Sequence, residues 1–568
     1  MIADFFSRMG RLFLSFIFFI SSTGLFPSGS KADPTLESPQ WPVWVHEHWV
    51  WENEGTQESA YELVSDYRQL GIPVGAVIID RPWATDSNTF IPDPERYPDL
   101  GEYVQKFHDE NVRIMIWATS VVNETASNFQ EAKDNGYFLS NGKTVKWWGG
   151  KGAFIDYTNP EAVEWWHGQM DNILDMGIDG WKIDGSDPYV LLMLPAYGKG
   201  GYVSWKAYRD QTYRDFFEYT REKLGNDRVI SARPVDDQLL GIGIPLVFTS
   251  RDINFAGWMG DQDNDWRGLR AALNNMFMAA AYNFVSYGSD IGGFRSGDGM
   301  IKDVFIRWAQ LGAFCPVMEN GGGGEHRPWL FDETGETAEI YKKFAVLHHE
   351  LIPYIYSQAA YSYELVKPTM RPQAGEYMYM LGDEILVAPF VEAGNNRTVT
   401  FPKGDWIYMF DETKTYSKGK QTLNFPLDEF PVFIRKGAII PMDVTDGLTG
   451  FGSELSADYT TVAMYPADGS NKFGLYEQDK KGALISYNRN AGALGITCTA
   501  TDRSMLFRVY GEQNPSGVTA SGAQLTRAAS MAELVTMQAG YFRDSDGVLW
   551  IAVKDASAGT EIKVTLPA

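Results

Sequence analysis

Gly177-Ile-Asp-Gly-Trp-Lys-Ile-Asp-Gly-Ser-Asp-Pro188 is the stretch whose reading decides the fold. Its core, Gly180 to Asp184, reads as a short buried strand that comes after the amphipathic helix Glu161–Met176. The strand stops at Asp184, because Gly185, Ser186 and Pro188 turn the chain away. A carboxylate at the C-terminal end of a strand is either a reacting group or a cap for the next loop or helix. Lys182 stands two residues before Asp184, so the pleat points both side chains the same way. Lys182 then either meets a ligand or pairs with an acid inside the sheet.

Outward from this strand, apolar runs alternate with helices. Upstream come strands Val43–Trp49, Val74–Asp80 and Val112–Trp117, with helices Gln57–Leu70 and Leu100–Glu110 between them. Downstream come helix Val203–Leu224 and strand Arg228–Ala232, then strand Leu246–Thr249 and helix Trp266–Tyr282. Strand Phe284–Tyr287, helix Ile301–Gly312, strand Ala313–Met318 and helix Glu339–Tyr356 complete the series. Eight such units predict an α/β fold closed as a (β/α)8 TIM barrel. A doubly wound open sheet is the alternative, but no Gly-x-Gly-x-x-Gly loop comes after the first strand. Past about residue 367 short β runs separated by Gly, Pro and Asp predict antiparallel β-sandwich material. The expected organisation is a leader over 1–32, the barrel over 33–366, a proximal β-sandwich over 367–447 and a distal β-rich domain over 448–568.

At 568 residues the chain exceeds one compact core. Its formal charge of −24, from 73 acidic and 49 basic residues without a basic tract, argues against nucleic acid or an anionic membrane as partner. Arg8 and Arg11 precede the apolar run Leu12–Ile20, and small polar residues reach Lys31-Ala32. This is the pattern of a secretory signal peptide, so a secreted or periplasmic location is expected, with no membrane insertion after cleavage. Cys315 and Cys498 are expected to be buried free thiols.

Acids recur at strand ends: Asp80, Asp184, Asp261 and Asp290. Trp49, Trp83, Trp117, Trp148, Trp181, Trp258 and Phe294 accompany them. Crowded carboxylates repel unless a ligand or cation is present. Two acids walled by aromatics suit an oxocarbenium-like transition state, one attacking carbon and one protonating the leaving oxygen. A metal site is the rival use, but "GDQDNDW" lacks the glycine and terminal glutamate of a calcium loop. No metal or organic cofactor is expected.

The runs "KGAFIDYTNPEAVEWW", "GIDGWKIDGSDP", "GWMGDQDNDW", "GSDIGGF" and "RWAQLGAFCPVMEN", in this order, resemble glycoside hydrolase family 31. The resemblance spans about 42–442 and implies a retaining exo-α-glycosidase acting on an oligosaccharide or glycoside. It implies that Asp184 is the nucleophile and Asp261 the acid/base. It also implies that Asp290 contacts sugar hydroxyls and that Phe294 lines the site. Arg233 is the expected sugar-binding arginine, with Arg251 its competitor. Asp80, Trp83, Trp148, Lys182, Trp258, Glu319 and Asn320 complete the expected substrate-binding set. Where many glucosidases of that family carry an acid two positions before the counterpart of Asp80, this chain has Ile78. The His common in the eighth unit gives way to Glu319–Trp329, "ENGGGGEHRPW". With no acid to accept an equatorial 4-hydroxyl, an α-galactosidase is expected; α-glucosidase and α-xylosidase are the alternatives. A different class, a carbohydrate-binding protein on a glycosidase barrel, is disfavoured by retention of both carboxylates, and a metal-dependent hydrolase would lose its rate with chelator.

Overall fold

The computed structural model describes residues 32–185, 190, 193–236, 246–295, 301–512 and 514–567. The expected leader and Ser186-Asp187-Pro188 fall outside these residues. By its contacts the chain divides into two compact units, one holding 47–337 and the other 338–567 with 32–46.

The first unit is the barrel. Its strands are β1 His48–Glu52, β2 Ala76–Ile79, β3 Arg113–Ala118, β4 Gly180–Ile183, β5 Val229–Ala232, β6 Gly257–Met259, β7 Tyr287–Ser289 and β8 Met318–Asn320. The order β5-β4-β3-β2-β1-β8 forms one parallel sheet, and β6 and β7 pair parallel beside it. Closure on one side comes from a parallel bridge between Asp290 and Glu319. On the other, the Asn254 amide donates to the Ala232 carbonyl at 2.8 Å.

The intervening helices are α1 Gln57–Gln69, α2 Leu100–Asp109, α3 Pro160–Leu174, α4 Trp205–Leu224, α5 Trp266–Ala281 and α6 Lys302–Gly312. Their starts are written in the sequence. Thr56 caps α1, Ser204 caps α4 and Asp265 caps α5, each accepting a hydrogen bond from a backbone N–H of the first turn. Strands covered on both faces must be apolar, as "AVII" is throughout and "RIMIWA" is after its first residue.

Strand β4 shows how the alternation works. Trp181 turns outward, its indole N–H donating to Thr220 on α4 at 2.9 Å and its ring edge meeting Phe216. Lys182 and Asp184 therefore turn inward. Gly180 allows β5 to approach, since a Cβ there would lie 2.1 Å from the Val229 carbonyl oxygen.

Four strand expectations are corrected, the seventh strand being Tyr287–Ser289 rather than Phe284–Tyr287. Val43–His46 is a short 3-10 helix, and the first strand begins at His48. Leu246–Val247 pairs antiparallel with Val235–Asp236 in a side hairpin; the sixth barrel strand is Gly257–Met259. The eighth strand is Met318–Asn320 rather than Ala313–Met318. Periodicity cannot separate a three-residue barrel strand from the loop leading to it. The helix expected over Glu339–Tyr356 divides into Glu336–Glu350 and Ile352–Glu364, because Pro353 starts a new helix and cannot continue the old one.

In the second unit Met370–Asn424 and Val432–Arg435 supply a six-stranded antiparallel sheet, and two further six-stranded sheets come after it. Ile439–Met442 pairs with Thr460–Met464 and so belongs to the distal pair of sheets. Both cysteines are buried and unbridged. No helix among the described residues is long and apolar enough to cross a membrane.

Candidate active site

The C-terminal ends of the barrel strands surround a cleft of about 530 Å³. Asp80, Trp148, Lys182, Asp184, Arg233, Trp258, Asp261 and Phe294 line it, as expected from the sequence. So do Trp51, Asn53, Glu54, Arg81, Trp117 and Arg295, of which only Trp117 stands out in the sequence.

Asp184 stands one residue past β4, its backbone N–H tied to the Ala118 carbonyl. One carboxylate oxygen accepts the Gly185 N–H at 2.8 Å, and the other faces the Trp117 indole N–H at 3.4 Å. Burial pushes its pKa up; Arg233 and Lys182 pull back, while the charges of Asp261 and Asp80 add to the rise. Asp261 comes after Gly260, past β6, with φ of 64°, in the left-handed region, which aims its side chain back into the cleft. Its side chain is 36% exposed, against 20% for Asp184.

Arg233, past β5, ties the two acids together. Its Nη2 lies 2.5 Å from Asp261 Oδ2 and 3.6 Å from Asp184 Oδ1, and its Nη1 donates to the Gly260 carbonyl at 3.1 Å. The guanidinium also lies over the Trp258 ring, 4.1 Å from its centroid. Arg251, the competitor, donates to the Asn283 carbonyl instead and is not among the lining residues. Because one nitrogen reaches both carboxylates, the two oxygens lie within about 6 Å of each other.

Lys182 and Asp80 form the floor. Their ion pair is 2.9 Å long, with side chains 3% and 7% exposed. The ammonium rests 3.4 Å from the Trp51 ring centroid and 5.0 Å from that of Trp258. Burial pushes the Lys182 pKa down, but Asp80, Glu319 and Asp290 outweigh it and the net shift is upward. The two uses of Lys182 open in the sequence thus coincide: it is a salt-bridged barrel residue, and it lines the cleft.

Asp290, Glu319 and Asn320 lie behind the cleft and are not among its lining residues. One Asp290 oxygen accepts the Asp261 backbone N–H at 3.1 Å. The other, and both Glu319 oxygens, are buried without a hydrogen bond. Burial raises both pKa values; the Glu319 charge adds to the rise at Asp290. Asn320 donates to Tyr67 and to the His326 carbonyl, holding the glycine-rich loop. Gly321 fits there because a Cβ would lie 2.5 Å from the Trp51 ring. Trp83 donates to the Trp117 carbonyl at 2.7 Å and lines an adjoining groove of about 190 Å³. Trp49 is buried away from the cleft, and Ile78, 1% exposed, is not among the lining residues either. The hydrophobic contact on which the galactoside expectation rests is therefore absent from the lining.

Sequence reasoning misses Trp51, because the apolar pattern puts the first strand a few residues too early. Among the described residues no group of three or more His, Cys, Asp or Glu is placed to hold a metal ion.

Residues 38–358 match the glycosyl hydrolases family 31 TIM-barrel domain, and 361–440 the glycosyl hydrolase family 31 C-terminal domain. Alpha-xylosidase XylQ of Lactiplantibacillus pentosus is 27% identical over 431 residues, covering 70% of this chain and 54% of that protein. Alpha-glucosidase 2 of Bacillus thermoamyloliquefaciens is 25% identical over 485 residues, covering 79% and 59%. This chain thus spans little more than half the length of these relatives. A cycloalternan-forming enzyme from Listeria monocytogenes has the same fold, with a TM-score of 0.80 at 21% identity, over 93% of this chain and 55% of that one.

Proposed function

This chain belongs to family 31 of the glycosyl hydrolases, and we propose that it is a retaining exo-α-glycosidase in which Asp184 attacks the anomeric carbon and Asp261 protonates the leaving oxygen. The observation that carries the reading is the single Arg233 nitrogen reaching both carboxylates. Acid pairs about 5–5.5 Å apart support double displacement, whereas inversion needs about 6.5–9.5 Å to admit a water. An upper bound near 6 Å favours the former.

Asp184 is the more enclosed of the two, with its oxygens oriented by Gly185 and Trp117, as a nucleophile needs. Asp261 is the more exposed, which suits a group that protonates a leaving group and then takes a proton from water. Arg233 donates to Asp261 and forms an ion pair with Asp184, and so compensates part of their mutual repulsion. After the glycosyl-enzyme ester forms, Asp261 takes a proton from water, which then attacks the anomeric carbon and releases Asp184.

For the glycone, α-xylosides and α-glucosides come before α-galactosides. The relatives named as an α-xylosidase and an α-glucosidase support this order, and Ile78 does not face the cleft. Export with cleavage after Ala32 is part of the same reading.

The test is a panel of p-nitrophenyl α-xyloside, α-glucoside and α-galactoside, with the anomer of the first product tracked by NMR. Retained configuration, together with loss of turnover in Asp184→Asn, is expected. An inverted first product would overturn the mechanism, and fastest cleavage of the galactoside would overturn the glycone order.

A further inference from the structure

Four basic side chains line the cleft, and three of them are engaged. Lys182 pairs with Asp80, Arg233 with Asp261 and Asp184, and Arg295 lies 3.9 Å from Asp263. Arg81 differs. Its backbone N–H donates to Asp80, but among the described residues its guanidinium has no carboxylate partner and no hydrogen bond. Glu54, an exposed acid on the same lining, is not ion-paired to it.

The Arg81 guanidinium lies beside a pair of indoles, Trp117 and Trp148, that meet edge to face with centroids 6.0 Å apart. It lies 5.8 Å from the Trp117 ring centroid and 5.1 Å from that of Trp148. Cation–π contact of this kind makes no hydrogen bond and leaves the guanidinium N–H groups available for a carboxylate or similar oxyanion. The aromatic wall runs outward from the reacting centre. The Trp117 indole N–H faces Asp184, and Trp148, in edge contact with Trp117, carries the wall outward to 43% exposure, against 4% for Trp117. Trp148 is itself fixed, its ring centroid 4.7 Å from that of buried Trp147, whose N–H donates to Asn123 at 2.8 Å. In an exo-acting pocket the glycone occupies the closed end and the leaving group the mouth.

We infer that Arg81, placed beside Trp117 and Trp148, is a specificity-determining residue that binds an anionic group on the leaving-group ring. The preferred substrate then carries an acidic ring, such as a uronic acid, next to the scissile bond. Trp148 supplies apolar surface for that ring and Arg81 the paired donors for its carboxylate. This inference rests on the glycosidase reading above.

The experiment compares kcat/KM for 4-carboxyphenyl and 4-(methoxycarbonyl)phenyl α-glycosides of whichever glycone the enzyme cleaves best. The ratio of the two is measured in the wild type, Arg81→Met and Arg81→Lys. Intrinsic differences between the two phenols cancel when the ratios are compared between enzymes. The carboxylate-to-ester ratio is expected to fall about tenfold or more in Arg81→Met, as loss of a charge-assisted contact requires, and to be partly restored in Arg81→Lys. Added salt should shrink the wild-type ratio and leave that of Arg81→Met unmoved. Equal ratios in wild type and Arg81→Met would overturn the inference while leaving the glycosidase reading intact. Failure of the wild type to cleave either glycoside at any glycone would instead overturn that reading.

Discussion

Asp184 must be a carboxylate to attack, yet its burial holds its pKa above the usual range, and Arg233 is the strongest influence pulling it back down. Removing that guanidinium raises the pKa further, so the ionised form appears only at higher pH. The acid limb of kcat/KM for an activated aryl glycoside is therefore expected to move upward in pH in Arg233→Met. An unmoved limb would show that another group titrates there. Asp261→Ala has a different signature: p-nitrophenyl substrates, which need little protonation, retain far more of their rate than alkyl glycosides. Lys182 is a third case. Lys182→Met leaves Asp80 buried without its partner and is expected to cost about 3–5 kcal/mol of stability in urea unfolding. Asp80→Asn in the same background should recover part of that loss, because the uncompensated charge is gone.

At the scale of elements, the turn after β6 decides where Asp261 points. Gly260 packs so closely that a Cβ would lie 1.8 Å from the Trp258 indole nitrogen and 2.8 Å from an Asp290 oxygen. Gly260→Ala must therefore shift Asp261, and a displacement near 1 Å is expected to lower kcat by on the order of 100-fold with little change in circular dichroism. In the second unit, the helix Glu336–Glu350 ends on a fully buried carboxylate. Burial pushes the Glu350 pKa up from 4.5 to about 8; a hydrogen bond from Thr449 opposes the rise, and the charge on Asp446 adds to it. A folded-state pKa above the unfolded one means that the stabilising contribution is full below about pH 4.5 and is lost as pH rises through about 8. Glu350→Gln removes this dependence. Its stability relative to the wild type is expected to improve by a few kcal/mol between about pH 5 and about pH 9, read from urea midpoints. Parallel pH curves for the two proteins would mean that Glu350 does not titrate in this range.

For the whole molecule, the net charge of −24 is not concentrated in the cleft, where Lys182, Arg233, Arg81 and Arg295 stand among Asp80, Asp184, Asp261 and Glu54. The proposed chemistry uses only these side chains and water, so exhaustive chelation is expected to leave kcat/KM unchanged; a loss restored by a divalent ion would contradict it. Chain recovered from an exporting host is expected to begin near Asp33, and a mass spectrum that retains Met1 would contradict the proposed cleavage.

Much of this was legible in the sequence because the signals were local. Strand–helix alternation gave the barrel, and pleat parity put Lys182 and Asp184 on one face. Asp184 stood out because it lies directly past its strand, and Asp261 because "GWMGD" carries the motif of the resemblance. Only the tertiary structure decided which arginine enters the cleft, since Arg233 and Arg251 both lie near strand ends and their directions depend on how β5, β6 and the side hairpin pack. It also moved Asp290, Glu319 and Asn320 behind the lining and brought Trp51 and Arg81 into it. Sequence spacing fixes direction within one strand; which side chains meet across eight strands depends on register, closure and the space each glycine leaves, and these exist only once the sheet has closed.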